Sequence, residues 1–330
     1  MDQLCSLFGC TEEYLLGQSD TYVPFNFAFK ANGIQGEDLQ SIVAVNKIAM
    51  NIRYMNEKLK VSDMKKYLSV FRIRLINNIQ YKTVTFGAVA SNIVWVLLEL
   101  MMYVALYNSA GHVLPMAFSQ IVSYIWVKRI VMNMLAVVAY DGEIYSVIHS
   151  GSVAYELVRP MDIYGKWYFQ AAANRVTSTL VSCIPVLLIV IILPEPFGLH
   201  FPMSIIQVFT FFISVFLALG LVVAFAMIMF ITLFYTLSQR GIKIIVTAVS
   251  SFLSGGMIPL TFFPEKVLAI LKYLPFSSMQ STPLLIYSGN ITGTEILKGI
   301  AMQIIWMIIL IAIGKVLMNH SIKHVVVQGG

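Results

Sequence analysis

The stretch MSIIQVFTFFISVFLALGLVVAFAMIMFITLFY, residues 203–235, decides the fold class. It contains no Asp, Glu, Lys or Arg, and it is longer than the about 20 apolar residues that cross a bilayer as a helix. Backbone amides and carbonyls find no water inside a bilayer, so such a segment is helical there. The stretch therefore predicts a spanning helix that tilts or projects beyond the membrane.

Similar apolar stretches recur on both sides of it and predict an all-α integral membrane protein with about six spans. Hydrophobic residues make up 58% of the chain and charged residues 12%, against about 45–50% and about 25% in soluble domains. One soluble core cannot absorb that surplus of apolar surface. The predicted spans cover residues 84–107, 115–138, 169–193, 203–235, 244–260 and 300–318.

The fifth predicted span contains features that break helices. Ser254, Gly255 and Gly256 lie within it and Pro259 and Pro264 close it, so we expect it to end before crossing cleanly. Residues 265–298 are only moderately apolar and rich in turn formers, among them Pro275. They predict short helices that dip into one leaflet before the last span.

The basic residues predict the orientation of the chain. Its net charge of +6 comes from Lys and Arg at the ends of apolar runs, which indicates topology rather than a nucleic-acid surface. With the N-terminus inside, the first two outer loops contain no Lys or Arg. We therefore expect both termini in the cytoplasm. The basic residues that this orientation places inside are Lys65, Lys66, Arg72, Arg74, Lys82, Arg159, Lys166, Arg175, Arg240, Lys243, Lys315 and Lys323.

Residues 1–63 are polar and predict a cytoplasmic extension ahead of the membrane domain, residues 64–330. Apolar residues between 39 and 59 recur near a helical period and favour an amphipathic helix. An alternative interpretation is that the natural start is Met64, and the residues leave both open. From Met64 onward, basic and apolar side chains interleave as in a helix that lies in the lipid headgroup plane.

Three charged residues lie deep inside the first two predicted spans. An ionised carboxylate at the position of Glu99 costs at least about 2.5 kcal/mol unless it is paired. Lys128 and Arg129 in the next span are candidate partners, since the two helices run in opposite directions. One interpretation is a translocation or ion-coupling site, and the other is a structural pair at a subunit interface.

Signatures of catalysis and metal binding are missing from the sequence. It contains no G-x-x-x-x-G-K-[ST], H-E-x-x-H or G-x-S-x-G motif, so nucleotide cradling and the common hydrolase chemistries are not indicated. Cys5, Cys10 and Cys183 lack metal-ligand spacing. We therefore expect a non-catalytic chain that binds no metal or cofactor itself.

Residues 139–168 form the longest polar segment between predicted spans. A helical stretch around Tyr155 and Glu156 ends at Pro160, beside Arg159. One interpretation is an ordinary loop. The other is a docking element for a cytoplasmic partner, in which Glu156 and Arg159 are free to form charged contacts.

Three segments of the chain form a recognisable set: Met64-Lys65-Lys66-Tyr67-Leu68 with Phe71-Arg72, Ala154-Tyr155-Glu156-Leu157-Val158-Arg159-Pro160-Met161-Asp162-Ile163-Tyr164, and Val326-Val327-Gln328-Gly329-Gly330. They resemble one protein family, the ABC-2 type permeases of bacterial ABC transporters, in the branch long labelled as a domain of unknown function. A fourth segment has a looser similarity to ABC-2 permeases generally: Phe252-Leu253-Ser254-Gly255-Gly256-Met257-Ile258-Pro259-Leu260, with Phe263-Pro264 and Leu274-Pro275-Phe276. The resemblance covers about residues 64–330.

The resemblance implies a permease subunit of an ATP-driven transporter in the bacterial cytoplasmic membrane. It implies six spans, an interfacial N-terminal helix, re-entrant helices before the last span, and a coupling helix that contains Tyr155, Glu156, Arg159, Pro160 and Asp162. The implied partners are two ABC ATPase subunits, which bind ATP and Mg²⁺, and a second permease subunit, identical or paired. Export is favoured because nothing in the sequence indicates a receptor domain that captures substrate.

Two other function classes fit the sequence less well. A proton-coupled secondary transporter that uses Glu99 would be expected to show an inverted repeat with matching broken helices, and none is visible. A membrane-embedded enzyme would need His, Asp or Cys clustered at one membrane face, and the five histidines are scattered.

Overall fold

The computed structural model describes residues 63–81, 86–110, 114–137, 141–157, 161–202, 204–236 and 239–322. Apart from Asp63, the predicted N-terminal extension lies outside these residues, as do Arg159, Pro160 and the closing Val-Gln-Gly-Gly segment. Every regular element in the described ranges is a helix. These are α1 Asp63–Tyr81, α2 Phe86–Ala110, α3 Phe118–Leu135, α4 Gly142–His149, α5 Val153–Leu157, α6 Ile163–Ile192, α7 Ile205–Thr232, α8 Gln239–Leu253, a 3₁₀ turn Leu260–Phe262, α9 Glu265–Leu271, α10 Pro275–Met279, α11 Ser281–Tyr287 and α12 Thr294–Ile322.

Four of the described helices are long and apolar enough to cross a membrane: α6, α7, α12 and the part of α2 from Ser91 to Ser109. The other two predicted spans correspond to α3 and α8. Lys128 and Arg129 lower the hydropathy of α3, which has 18 residues, and the apolar part of α8 is the short stretch Lys243–Leu253. The all-helical membrane class is therefore confirmed, whereas the count of six spans stays a prediction.

The centre of the bundle is the contact of α7 with α12. Residues 221–224 of α7 are fully buried. Buried Gln303 of α12 donates from Nε2 to the carbonyls of Ser214, at 3.1 Å, and Ser278, at 2.9 Å. The Ser214 hydroxyl donates back to Gln303 Oε1 at 3.0 Å. Because every polar atom of that amide has a partner, its hydrogen bonds offset the cost of burying it, and the Gln ties α7, α10 and α12 together.

The helix α6 connects several parts of the bundle, since it packs on α1, α3 and α7. Near its start the Tyr67 ring of α1 stacks on Phe169, with ring centroids 5.4 Å apart. Gly165 makes room for that ring, because a Cβ there would lie 2.7 Å from Tyr67 Cε1. Arg74 of α1 pairs with Glu143 of α4. The predicted basic N-terminal helix is thus confirmed as a helix, and its position in the headgroup plane stays a prediction.

The outward surface of α1 mixes charge with apolar groups. Leu68, Ile73 and Ile76 are exposed beside exposed Lys65 and Arg72. That mixture is typical of helices whose apolar side chains enter the headgroup region while the basic groups meet anionic lipid.

The predicted break after the fifth apolar stretch is confirmed. Helix α8 ends at Leu253, and Gly255 takes a φ of +80°, which L-residues with a Cβ rarely adopt. The prolines then start the short helices that follow: Pro259 precedes the 3₁₀ turn, Pro264 precedes α9, and Pro275 opens α10. Short helices before the last span are present as expected, and their entry into one leaflet stays a prediction.

Candidate functional site

A polar cavity of about 810 Å³ lies between α2, α3 and α8. The Glu99, Lys128 and Arg129 side chains predicted from the sequence all line it. Hydroxyl and amide groups from α2, from α8 and from the residue between α10 and α11 complete its polar lining: Ser91, Asn92, Thr247, Ser250, Ser251 and Gln280. In a helix bundle that crosses a membrane, such a concentration of polar groups is costly and marks a functional site by default.

Lys128 and Glu99 form an ion pair inside this cavity. Their side chains are only 14% and 22% exposed, respectively. The sequence leaves open which base meets the carboxylate, and the structure selects Lys128. Because the two charges compensate each other, the pair can be retained at this depth at a lower cost than either charge alone.

Arg129 is in a different situation from its neighbour Lys128. Its guanidinium Nη1 lies 3.0 Å from Met132 Sδ on the same helix. Among the residues that the structure describes, no carboxylate lies within ion-pair distance of Arg129. The three charged residues of the cavity therefore leave one positive charge without a compensating acid.

Gln280 anchors the wall of the cavity formed by the broken segment. Its Nε2 donates to the Leu135 carbonyl at the end of α3, at 2.8 Å, and its Oε1 accepts from the Ser254 hydroxyl, at 2.8 Å. Gly256 lies against the same amide, since a Cβ there would be 2.5 Å from Oε1.

The buried Tyr124 hydroxyl donates to the Gly255 carbonyl at 3.0 Å. Residues 254–256 are thus fixed to α3.

Sequence reasoning missed Gln280 and Tyr124 as site residues. A single Gln among serines and apolar residues gives no periodic or motif signal, and neither does a Tyr inside an apolar helix. Of the residues predicted for the re-entrant element, Gly256 lines the cavity, and Ser254 and Gly255 are bonded to residues around it. Pro259, Pro264 and Pro275 set helix starts and do not line it.

The connection between α3 and α6 is ordered by its acidic residues. Asp141 Oδ1 accepts from the Ile144 amide at 3.2 Å and so caps α4, and Asn174 of α6 donates to Oδ2 at 2.5 Å. Burial raises the pKa of the Asp141 carboxyl, while the two hydrogen bonds oppose that shift. Asp162 caps α6 in the same way, through a 2.9 Å bond from the Gly165 amide.

Within this connection, Tyr155 and Glu156 of α5 differ sharply in exposure. Tyr155 is 78% exposed. Glu156 pairs with Lys166 of α6, and both side chains are mostly buried. The expectation that Glu156 is free to form charged contacts is therefore wrong, because Lys166 already occupies it. The described coupling residues, Tyr155, Glu156 and Asp162, do not line the cavity between α2, α3 and α8.

Comparison with known proteins gives one finding about the family. The family model described as ABC-2 family transporter protein matches residues 93–329, which is most of the chain and includes all the cavity residues from Trp95 onward. No curated protein matches the chain significantly. The protein therefore belongs to the ABC-2 transporter family.

The chain is, in consequence, a multi-pass membrane permease of the ABC-2 type. Members of this family are the membrane components of ABC transporters, generally without catalytic activity, and membership implies an ABC ATPase subunit as partner. A proton-coupled secondary transporter is not favoured by this finding.

Proposed function

We propose that the chain is the membrane-spanning subunit of an ATP-driven exporter and that a separate ABC ATPase docks on residues 139–168. The observation that carries the docking surface is the helix α5. It presents an exposed aromatic side chain, Tyr155, while the adjacent Glu156 binds α6 from the other side. An exposed aromatic side chain is the type of residue that anchors protein interfaces.

The contacts of α6 support a route from this surface to the cavity. Lys166, which holds α5, lies near the start of α6, a helix of 30 residues. Further along, Ser182 of α6 accepts a 2.6 Å hydrogen bond from Asn133 of α3, the helix that contributes Lys128 and Arg129. Movement of α5 by the ATPase would be transmitted by α6 to α3, since packed helices shift as units.

The remaining features of the proposed complex follow from the family and from the charge pattern. The helices α3 and α8 complete six spans, with α9 to α11 as the re-entrant element. Two permease subunits, identical or paired, stand on two ATPase subunits that bind ATP and Mg²⁺. Both termini face the cytoplasm of a bacterial cell, in line with the positive-inside pattern. Export is the direction that the resemblance to this family favours.

The experiment that tests the docking surface is affinity purification of the tagged full-length protein from native membranes in mild detergent. We expect a P-loop ATPase to co-purify in stoichiometric amount, with ATP hydrolysis that vanadate inhibits. Tyr155→Ala should sharply reduce recovery of the ATPase while the permease is still inserted. Tyr273→Ala is the matched control, because Tyr273 is similarly exposed, at 70%, but lies between α9 and α10.

Two results would count against the proposal. Purification of the permease alone, under conditions that preserve a control ABC complex, would remove the ATP-driven function. Equal ATPase recovery with Tyr155→Ala and Tyr273→Ala would remove the docking surface around α5.

A further inference from the structure

One side of the polar cavity between α2, α3 and α8 is open and apolar. Trp95 of α2 lines it and is 67% exposed, and the lining residues Leu98, Met102 and Met132 are exposed as well. These side chains belong to helices with predominantly apolar surfaces, and large exposed apolar groups there face lipid or another protein. The cavity therefore combines polar lining groups with large exposed apolar ones.

The interior of the cavity has a net positive charge. Glu99 and Lys128 are committed to each other, whereas Arg129 has no carboxylate partner among the described residues. A guanidinium without an ion-pair partner of its own is costly within a membrane-spanning bundle, and an anion at that position would lower the cost. Its fixed fork of donors suits phosphate or carboxylate oxygens, which it can bind in bidentate fashion.

Neutral hydrogen-bonding groups line the same cavity as Arg129. Asn92, Ser251 and Gln280 line the cavity together with Arg129. Hydroxyl and amide groups can donate to the oxygens of a polar headgroup without adding charge. The cavity volume of about 810 Å³ lies within the range of small-molecule sites, about 300–1,000 Å³.

We propose that this cavity binds an anionic amphiphile, with its phosphate or carboxylate headgroup at Arg129 and its apolar part along Trp95 and the neighbouring side chains of α2. The amphiphile enters from the open side of the cavity. That the amphiphile is the exported substrate rests on the proposed transport function. Its binding to this chain does not depend on that function.

The binding test uses the full-length protein in nanodiscs of zwitterionic lipid, without any ATPase. The probe is dodecyl phosphate with a bromine on the alkyl chain, which quenches tryptophan emission on contact. The difference between wild type and Trp95→Phe isolates the signal of Trp95. We expect saturable quenching of Trp95, and Arg129→Gln should raise the Kd by about tenfold or more, since hydrogen bonds to a charged partner contribute about 1.5–3 kcal/mol.

Three further arms identify the ligand class and control for general effects. Dodecyl maltoside, brominated in the same way, should bind more weakly and should not respond to Arg129→Gln. Inorganic phosphate should compete with dodecyl phosphate only far above the Kd of the amphiphile. Lys315→Gln removes an exposed cation of α12 outside the cavity and should leave the Kd unchanged.

Each opposite result overturns the inference. A Kd for dodecyl phosphate that is unchanged in Arg129→Gln, or equally changed in Lys315→Gln, would remove Arg129 as the recognition residue. Equal affinity of the wild-type protein for the phosphate and maltoside amphiphiles would show that the ligand need not be anionic. This comparison uses no variant at Arg129. Inorganic phosphate that competes as well as dodecyl phosphate would replace the amphiphile by a free anion. None of these results depends on recovery of an ATPase, so the two proposals fail separately.

Discussion

Lys128 on α3 forms an ion pair with Glu99 on α2, and both side chains are largely buried in the polar cavity. The pair joins the consecutive helices α2 and α3. Arg129, one residue further along α3, remains without a carboxylate among the described residues. The ion pair engages Glu99 and Lys128 with each other, and we propose the adjacent guanidinium as the group that binds a ligand.

Breaking this pair from one side should destabilise the protein more than removing it entirely. Glu99→Gln leaves Lys128 uncompensated, and Lys128→Met leaves Glu99 uncompensated. Each change should cost about 1–3 kcal/mol, since an isolated charge cannot be solvated well in the cavity. Thermal melts of the purified protein in detergent measure the stability of each variant. The double variant, with Glu99→Gln and Lys128→Met in one chain, should lose less stability than the two single variants lose in total. Additive losses would contradict a direct interaction.

The pair between Glu156 and Lys166 should behave as a connection between α5 and α6. Glu156→Lys or Lys166→Glu places two like charges together, so each variant should melt earlier and recover less ATPase. The exchanged pair, with both substitutions in one chain, restores the opposite charges and should regain at least half of the lost stability. An exchanged variant no better than either single variant would show that the contact does not hold α5.

Gly314 of α12 should not tolerate a side chain. A Cβ at this position would lie 2.7 Å from Cε2 of Tyr164, so α12 or α6 would have to shift. Gly314→Ala should destabilise the protein by about 1–3 kcal/mol, as overpacking in well-packed interiors does. Gly241→Ala on α8 is the matched control, because a Cβ there would meet no atom within 4 Å. It should be neutral or slightly stabilising. Equal melting temperatures for the two variants would argue against close packing of α12 on Tyr164.

The buried Asp141 should make the protein slightly less stable as the pH rises, which is the opposite of the usual effect of a carboxyl group. Burial raises the pKa of its carboxyl in the folded protein, so the folded state binds this proton more readily than the unfolded state does. The contribution of Asp141 to stability is therefore fully present below the unfolded pKa of 3.8 and is lost as the pH rises through the folded pKa.

Asp141→Asn keeps a helix-capping oxygen and removes the titration. The melting temperature of this variant minus that of wild type should be more positive at pH 7 than at pH 4. A difference that changes in the opposite direction would mean that attraction to nearby positive charge outweighs desolvation at this carboxyl.

Much of the fold can be predicted from the sequence, because the local amino-acid composition determines where helices span and where they break. The ends of α7 lie within three residues of the apolar stretch 203–235 that predicts it. The Ser-Gly-Gly run and the prolines after it predict the break at 254–256, since glycine and proline act on the backbone where they stand. The alternation of basic and apolar residues predicts the helix that begins near Met64.

The candidate site is only half predictable. Glu99, Lys128 and Arg129 stand out because charge is rare in apolar segments. Nothing local distinguishes Gln280, whose amide joins Leu135 to Ser254 across more than a hundred residues of chain. The environment of Glu156 is wrongly predicted for the same reason, since its pairing with Lys166 depends on how α5 folds back on α6.

By itself the sequence determined that this protein is a helical membrane permease of the ABC-2 type, where its helices break, and which charges lie among them. These properties follow from solvation and backbone geometry, which act within about one helix length. The tertiary structure alone decided which base neutralises Glu99, which charge is left over, and which residue of α5 faces outward. Those outcomes depend on the rotation and depth of helices packed against each other, and residues far apart in the chain fix that arrangement only when the bundle is assembled.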